Sequence, residues 1–308
     1  MGIEVQGGFN EKILVRPKGA IMLRRLAIAI LLTLPFAYPV AAPAGPPAAA
    51  EKSEARLDHL WETLQLGDLM PILRDEVLAE MQGMQEDLFL RGGTGNWLSE
   101  VARIHDPVRL EGLFRTGLGA ALEQADEARM TGALDFYRQP LRRRLIALEN
   151  SARVAMLDPD TEAQARAAFA AAAHHGDPRA AQIARLIDRA DLIEPNVAGG
   201  LNAAIAFSQG FRQGGGFDMP PTEGQMLADA WSQEAGIRAE TQSWLEAYLT
   251  LAYSPLSDDE LERYILFVAS PEGRALSAVM FAGFEALFWQ TSFDLGLAAA
   301  GQLQGRKL

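Results

Sequence analysis

The chain has 308 residues, 49% of them hydrophobic, no cysteine, and a formal net charge of −12. A surface of that sign repels nucleic acid and anionic headgroups over about a Debye length. The absence of thiols removes disulfides, a lipid-anchored N-terminal cysteine, and any thiolate catalyst or metal site.

In chain order, residues 1–50 read as an N-terminal extension plus a signal peptide. Met22-Leu-Arg-Arg25 precedes the apolar run Leu26–Ala37 and then a segment rich in Ala and Pro. That is the order of charged, hydrophobic and cleavage regions in a secretory leader. The apolar run is well under the roughly 20 residues of a membrane span. Met22 is the expected true start, with cleavage after Ala44 or Ala50. Removing residues 1–50 takes away five basic residues (Lys12, Arg16, Lys18, Arg24, Arg25) and two acidic ones (Glu4, Glu11), so the net charge moves from −12 to −15. The expected location is the periplasm or the exterior, with no transmembrane segment once the signal is removed.

The rest of the chain reads as helix throughout. Leu57, Leu60, Trp61 and Leu64 follow the i, i+3, i+4, i+7 spacing of one helical face. Asp106-Pro107, Asp158-Pro159 and Asp177-Pro178 each place a capping side chain before a proline at a helix start. Gly176 reads as a helix stop. No period-two cluster of β-branched residues calls for a strand. The fold class is therefore all-α, a multi-helix bundle.

The densest local signals lie between Tyr253 and Leu276. Ser257 and Glu260 form an S-x-x-E capping box, with Leu256 and Leu261 as its hydrophobic staple. Ser270-Pro271 ends that helix and begins the next, which predicts two helices meeting at a sharp corner.

A fainter copy of this corner lies upstream. Aligning Phe136–Ala147 on Phe267–Ala278 pairs Phe136 with Phe267, Pro140 with Pro271, Arg143 with Arg274, and Leu145 with Leu276. Leu60, Leu64 and Asp68-Leu69 match Ile183, Ile187 and Asp191-Leu192. The expectation is two related helical halves, 51–157 and 158–308, with the glycine- and proline-rich stretch 210–224 absorbing their difference in length.

Leu256-Ser257-x-x-Glu260-Leu261, followed by Phe267-x-x-Ser270-Pro271-x-Gly273-x-x-Leu276, resembles a family of secreted bacterial proteins designated domain of unknown function 2059. The resemblance covers about a fifth of the chain. It implies an all-helical fold and export, and it carries no catalytic residue, ligand or cofactor. Ser257, Glu260, Phe267, Ser270, Pro271 and Gly273 are its structural motif.

Several groups are candidates for chemistry. Adjacent His174 and His175 diverge by about 100° on a helix, so no metal is expected there. Arg91-Gly-Gly-Thr-Gly-Asn96 lacks the ending and the strand of a phosphate loop and reads as a turn. Gly214-Gly215-Gly216 is a hinge or a lid over a cleft. Arg138, Arg142, Arg143 and Arg144 form a basic cluster, read as an anion or docking site or as a solvated face, with Arg143 and Arg274 salt-bridged inside the corners. Arg143 and Arg274 are the candidate ligand-binding pair.

Glu285 and Asp294 interrupt the apolar run 275–300. Glu285 is expected to face solvent or an internal arginine, and the aromatics Phe281 to Phe293 to form core. No Gly-x-Ser-x-Gly, Ser-x-x-Lys or Ser/His/Asp arrangement appears.

The sequence thus points to an exported helical binding or interaction protein without catalysis or cofactor, whose partner is a small ligand or an envelope protein. The alternatives are an envelope-polymer hydrolase using carboxylates, and a periplasmic chaperone or assembly factor.

Overall fold

The computed structural model describes residues 47–88 and 97–304, so residues 1–46 of the expected leader and the Arg91–Asn96 turn lie outside the described residues, while 47–50 are helical. Within them the chain forms 13 helices and no strand.

A first run comprises α1 (Pro47–Thr63), α2 (Leu66–Leu88), α3 (Trp97–Ile104), α4 (Pro107–Gln124), α5 (Glu127–Tyr137) and α6 (Pro140–Ala155). After α7 (Pro159–His174) a second run follows: α8 (Pro178–Arg189), α9 (Ile193–Gln213), α10 (Glu223–Trp231), α11 (Glu234–Tyr253), α12 (Asp258–Val268) and α13 (Pro271–Gln304).

Local chemistry sets these boundaries. Asp106, Asp158 and Asp177 each accept backbone N–H bonds at the starts of α4, α7 and α8, with proline in the first turn. Gly176 ends α7 at φ +70°. At the start of α12 the Ser257 hydroxyl takes the Glu260 N–H at 3.3 Å, and the Glu260 carboxylate takes the Ser257 N–H at 2.7 Å. Leu256 and Leu261 are buried beside this box. The Ser270 hydroxyl accepts from the Gly273 N–H at 3.1 Å, and α12 and α13 meet at 73°. A Cβ on Gly273 would strike the Phe267 carbonyl, so the corner admits no larger residue without shifting.

The 34-residue α13 is the central post. It packs against α3, α4, α5, α9 and α12, which is why its sequence is apolar on nearly every face. Glycines let these helices touch backbone to backbone. A Cβ on Gly296 would collide with the Phe207 carbonyl of α9, and one on Gly117 of α4 with the Ala282 carbonyl of α13.

The two runs interleave. The last helix of the first run, α6, lies on α11 of the second, and α13 lies on α4 of the first. One continuous core accordingly takes Leu60, Phe114 and Phe136 from the first run and Ile183, Tyr248 and Phe284 from the second. Phe136 and Phe267 stack on each other with ring centroids 3.5 Å apart.

Of the glycine- and proline-rich stretch 210–224, residues 210–213 are still helical and the loop is 214–222.

Candidate functional site

A cavity of about 90 Å³ opens where α6 faces α11, α12 and α13. Its polar wall comes from α6. Ile146, Glu149, Asn150 and Arg153 lie on successive turns of one face, alongside the buried Leu145 and Ala152. Two charged residues four apart thus interrupt an otherwise apolar, core-facing stripe. Its opposite wall is apolar, formed by Leu276, Met280 and Phe284 of α13. The rim carries Gln65, an exposed residue held at φ +52°, a left-handed backbone that costs a non-glycine residue free energy.

Four of the five tyrosines of the chain gather at this place. The Tyr253 hydroxyl donates to Glu149 Oε1 at 2.6 Å, and Tyr264 reaches the same oxygen at 3.5 Å. Tyr137 and Tyr264 hydroxyls are 3.3 Å apart. Tyr248 stacks on Trp244 at 4.6 Å, and Arg153 lies over both rings. Burial pushes all four phenols above their ordinary range, with the charge of Glu149 adding to the effect, so they act as neutral donors.

The two acids here differ in their pairing. Arg153 is nearly fully buried and donates to both Glu76 oxygens, at 2.7 and 2.8 Å, and also bonds Tyr248. Desolvation raises Glu76, and Arg153 opposes that rise. Glu149 forms no such ion pair among the described residues. Burial pushes its carboxyl up to about 7, against the lowering effects of the Tyr253 hydrogen bond and the more distant Arg153 charge. Glu149 therefore exchanges a proton near neutrality inside a cavity, at the pH where general acids, general bases and proton-linked binding sites operate.

The residues singled out from the sequence lie elsewhere. Arg143 and Arg274 are both exposed, neither lines the cavity, and the salt bridges expected for them are not formed among the described residues. The rest of the basic cluster is spent on local contacts. Arg138 bridges Asp135 and His59, Arg142 covers the Phe136 ring at 3.6 Å, and Arg144 donates to the Pro255 carbonyl.

The glycine loop packs back on its own helix through Phe217 against Phe211, away from the cavity. Glu285 is exposed and accepts from Asn202, whereas Asp294 pairs with Arg109. Phe284 and Phe288 are core, while Trp289 is 38% exposed. His174 and His175 are exposed, and no cluster of three metal-ligating side chains occurs among the described residues. No single described helix is long and apolar enough to cross a membrane.

The signal that would have found the site was the Glu149/Arg153 pair on the apolar face of α6. The tyrosines gave none, since they are scattered between positions 137 and 264 and meet only through tertiary packing.

Neither a protein-family model, nor a curated protein, nor a solved structure matches this chain.

Proposed function

We propose that this is an exported, non-enzymatic binding protein of the cell envelope, and that the cavity beside Glu149 holds its small ligand. The observation that carries the reading is a half-buried carboxyl, hydrogen-bonded to Tyr253 and in no ion pair among the described residues, at the wall of a cavity. Such a group opposes folding whenever it ionises, a cost that binding a ligand there would offset. The leader-like segment Met22–Ala50 supports export, and the Ser257–Leu276 corner supports a place beside the secreted family that it resembles.

The proposal includes an internal duplication of a six-helix unit. Both runs have a short third helix and an 11-residue fifth helix, and both turn from first to second helix through a left-handed residue, Gln65 or Asp191. In each run an arginine of the first helix caps the end of the fourth: Arg56 on the Leu122 carbonyl, and Arg179 on the Tyr253 and Leu256 carbonyls. In the pairing that sets Phe136 against Phe267, Glu149 falls on Met280 and Arg153 on Phe284. The two walls of the cavity would then be the same helix of each copy, one turned polar and the other left apolar.

One observation favours the hydrolase alternative: a carboxyl near 7 in a cavity can serve as a general acid. A carboxylate mechanism needs a second acid free to act, and Glu76 is held by Arg153 in a two-oxygen contact.

The test is native mass spectrometry on the full chain expressed in its own host and purified gently. A binding protein retains a small mass that leaves on denaturation and is missing from a variant whose cavity is filled by Ile146→Trp. Wild-type protein without any retained mass, together with envelope-polymer turnover abolished by Glu149→Gln, would replace this reading with the hydrolase.

A further inference from the structure

We propose that the cavity selects a small organic cation, an ammonium group carried on a short apolar stem, which takes the place of the proton on Glu149. This rests on reading the cavity as a ligand site, and it adds the chemical class of the ligand.

The first ground is the charge facing the cavity, element by element. From α6 come Glu149 and Arg153, and Arg153 is neutralised from outside the lining by Glu76 of α2 at 2.7 Å. Among the described residues, the titratable groups that α5, α11 and α12 bring to the lining are the neutral phenols Tyr137, Tyr248 and Tyr264, with Tyr253 behind them on Glu149, and α13 contributes apolar side chains. The residual charge is that of Glu149 alone. Where Glu149 is ionised, an anion would meet its carboxylate and be repelled. A neutral ligand leaves that charge uncompensated.

The second ground is where the hydrogen bonds go. Both protein donors to Glu149 reach Oε1, so Oε2 is left without a protein donor among the described residues. An acceptor on a cavity wall that the protein itself does not satisfy is suited to an N–H donor brought by a ligand, and an ionised donor makes the stronger bond.

The third ground is the lining. Tyr264, Tyr137 and Phe284 present π-systems to the same space as the carboxylate, and aromatic faces beside a carboxylate stabilise ammonium ions. Leu276 and Met280 supply a dry wall for the stem. A space of about 90 Å³ is several times the roughly 10–15 Å³ that one ordered water requires, so the ligand has only a few heavy atoms.

Linkage follows from the exchange. The cation binds the ionised carboxylate, so binding at pH 7 releases the proton that Glu149 holds, and affinity rises with pH until that proton is gone. Above that pH the dependence flattens.

The experiment is calorimetric titration of the full chain with n-propylammonium, 1-propanol and propionate, at pH 6, 7 and 8 and in two buffers of different ionisation heat. The expected result is propylammonium binding at least tenfold tighter than either analogue. Its affinity should rise several-fold from pH 6 to 8, with a fraction of a proton released at pH 7 and almost none at pH 8. Glu149→Gln should lose at least tenfold of that affinity, and the proton count in wild-type protein stands independently of how the variant folds. Propanol or propionate binding as tightly as the amine would overturn the cation assignment while leaving the cavity as a ligand site. No amine binding would overturn it too, and a neutral or anionic molecule found by native mass spectrometry would overturn it separately from the binding reading.

Discussion

Replacing Glu149 with Gln should make the protein more stable, and increasingly so as pH rises. The folded carboxyl titrates at about 7, against an ordinary value of 4.5. Between those values the folded chain therefore holds a proton that the unfolded chain has lost. Unfolding then becomes easier as pH rises through this window, and the loss is complete above about 7. A shift from 4.5 to about 7 corresponds to at most about 3 kcal/mol at 1.36 kcal/mol per unit, less whatever water in the cavity restores. Gln keeps the shape and can still accept from Tyr253, but cannot ionise.

The quantity to follow is the stability difference between variant and wild type, by urea denaturation at pH 4.5, 6, 7 and 8. The difference matters because other groups also titrate. His105, buried with its Nδ1–H on the Val101 carbonyl, is pushed down to about 4 and pulls the wild-type profile the opposite way. The expected difference is near zero at pH 4.5 and about 2–3 kcal/mol in favour of Gln at pH 8, or several degrees in melting temperature for a chain of this size. A Gln variant that is less stable at pH 8, or a difference independent of pH, would refute the reasoning.

The remaining predictions concern the frame around the cavity. Arg153→Met strands the Glu76 carboxylate and should cost about 3–5 kcal/mol at pH 7 by urea denaturation, with much of the loss recovered when Glu76→Leu is added. Phe267→Ala removes the ring stacked on Phe136 and should cost on the order of 3–5 kcal/mol; a loss below about 1 kcal/mol would mean that the two runs do not meet there. Gly296→Ala drives a methyl into the Phe207 carbonyl and should cost about 1–3 kcal/mol or more, read as a lowered thermal midpoint.

Much of the frame was legible because it is local. The aspartate-proline caps at Asp106, Asp158 and Asp177, the Ser257/Glu260 box and the Ser270-Pro271 corner are set by residues within four positions of one another. Pairing Phe136 with Phe267 marked two side chains that turn out to stack, although periodicity alone does not say that matched helices pack on one another.

The site was not legible for the opposite reason. Glu149 owes its position to Tyr253, 104 residues away, and Arg153 to Glu76, 77 residues away. Arg143 belongs to the basic cluster, yet it and Arg144 stand exposed on the surface, where clustering in sequence costs nothing. The informative charges were the two on the buried stripe of α6, where cost rather than clustering marks function.

The most direct measurement is the titration of the Glu149 side-chain carboxyl by carbon NMR on the full chain without added ligand, assigned by its loss in Glu149→Gln. A carboxyl desolvated at the cavity wall titrates near 7. A midpoint near the ordinary 4.5 would mean that water already solvates the carboxylate, and would contradict both the cavity's chemistry and the role proposed for it.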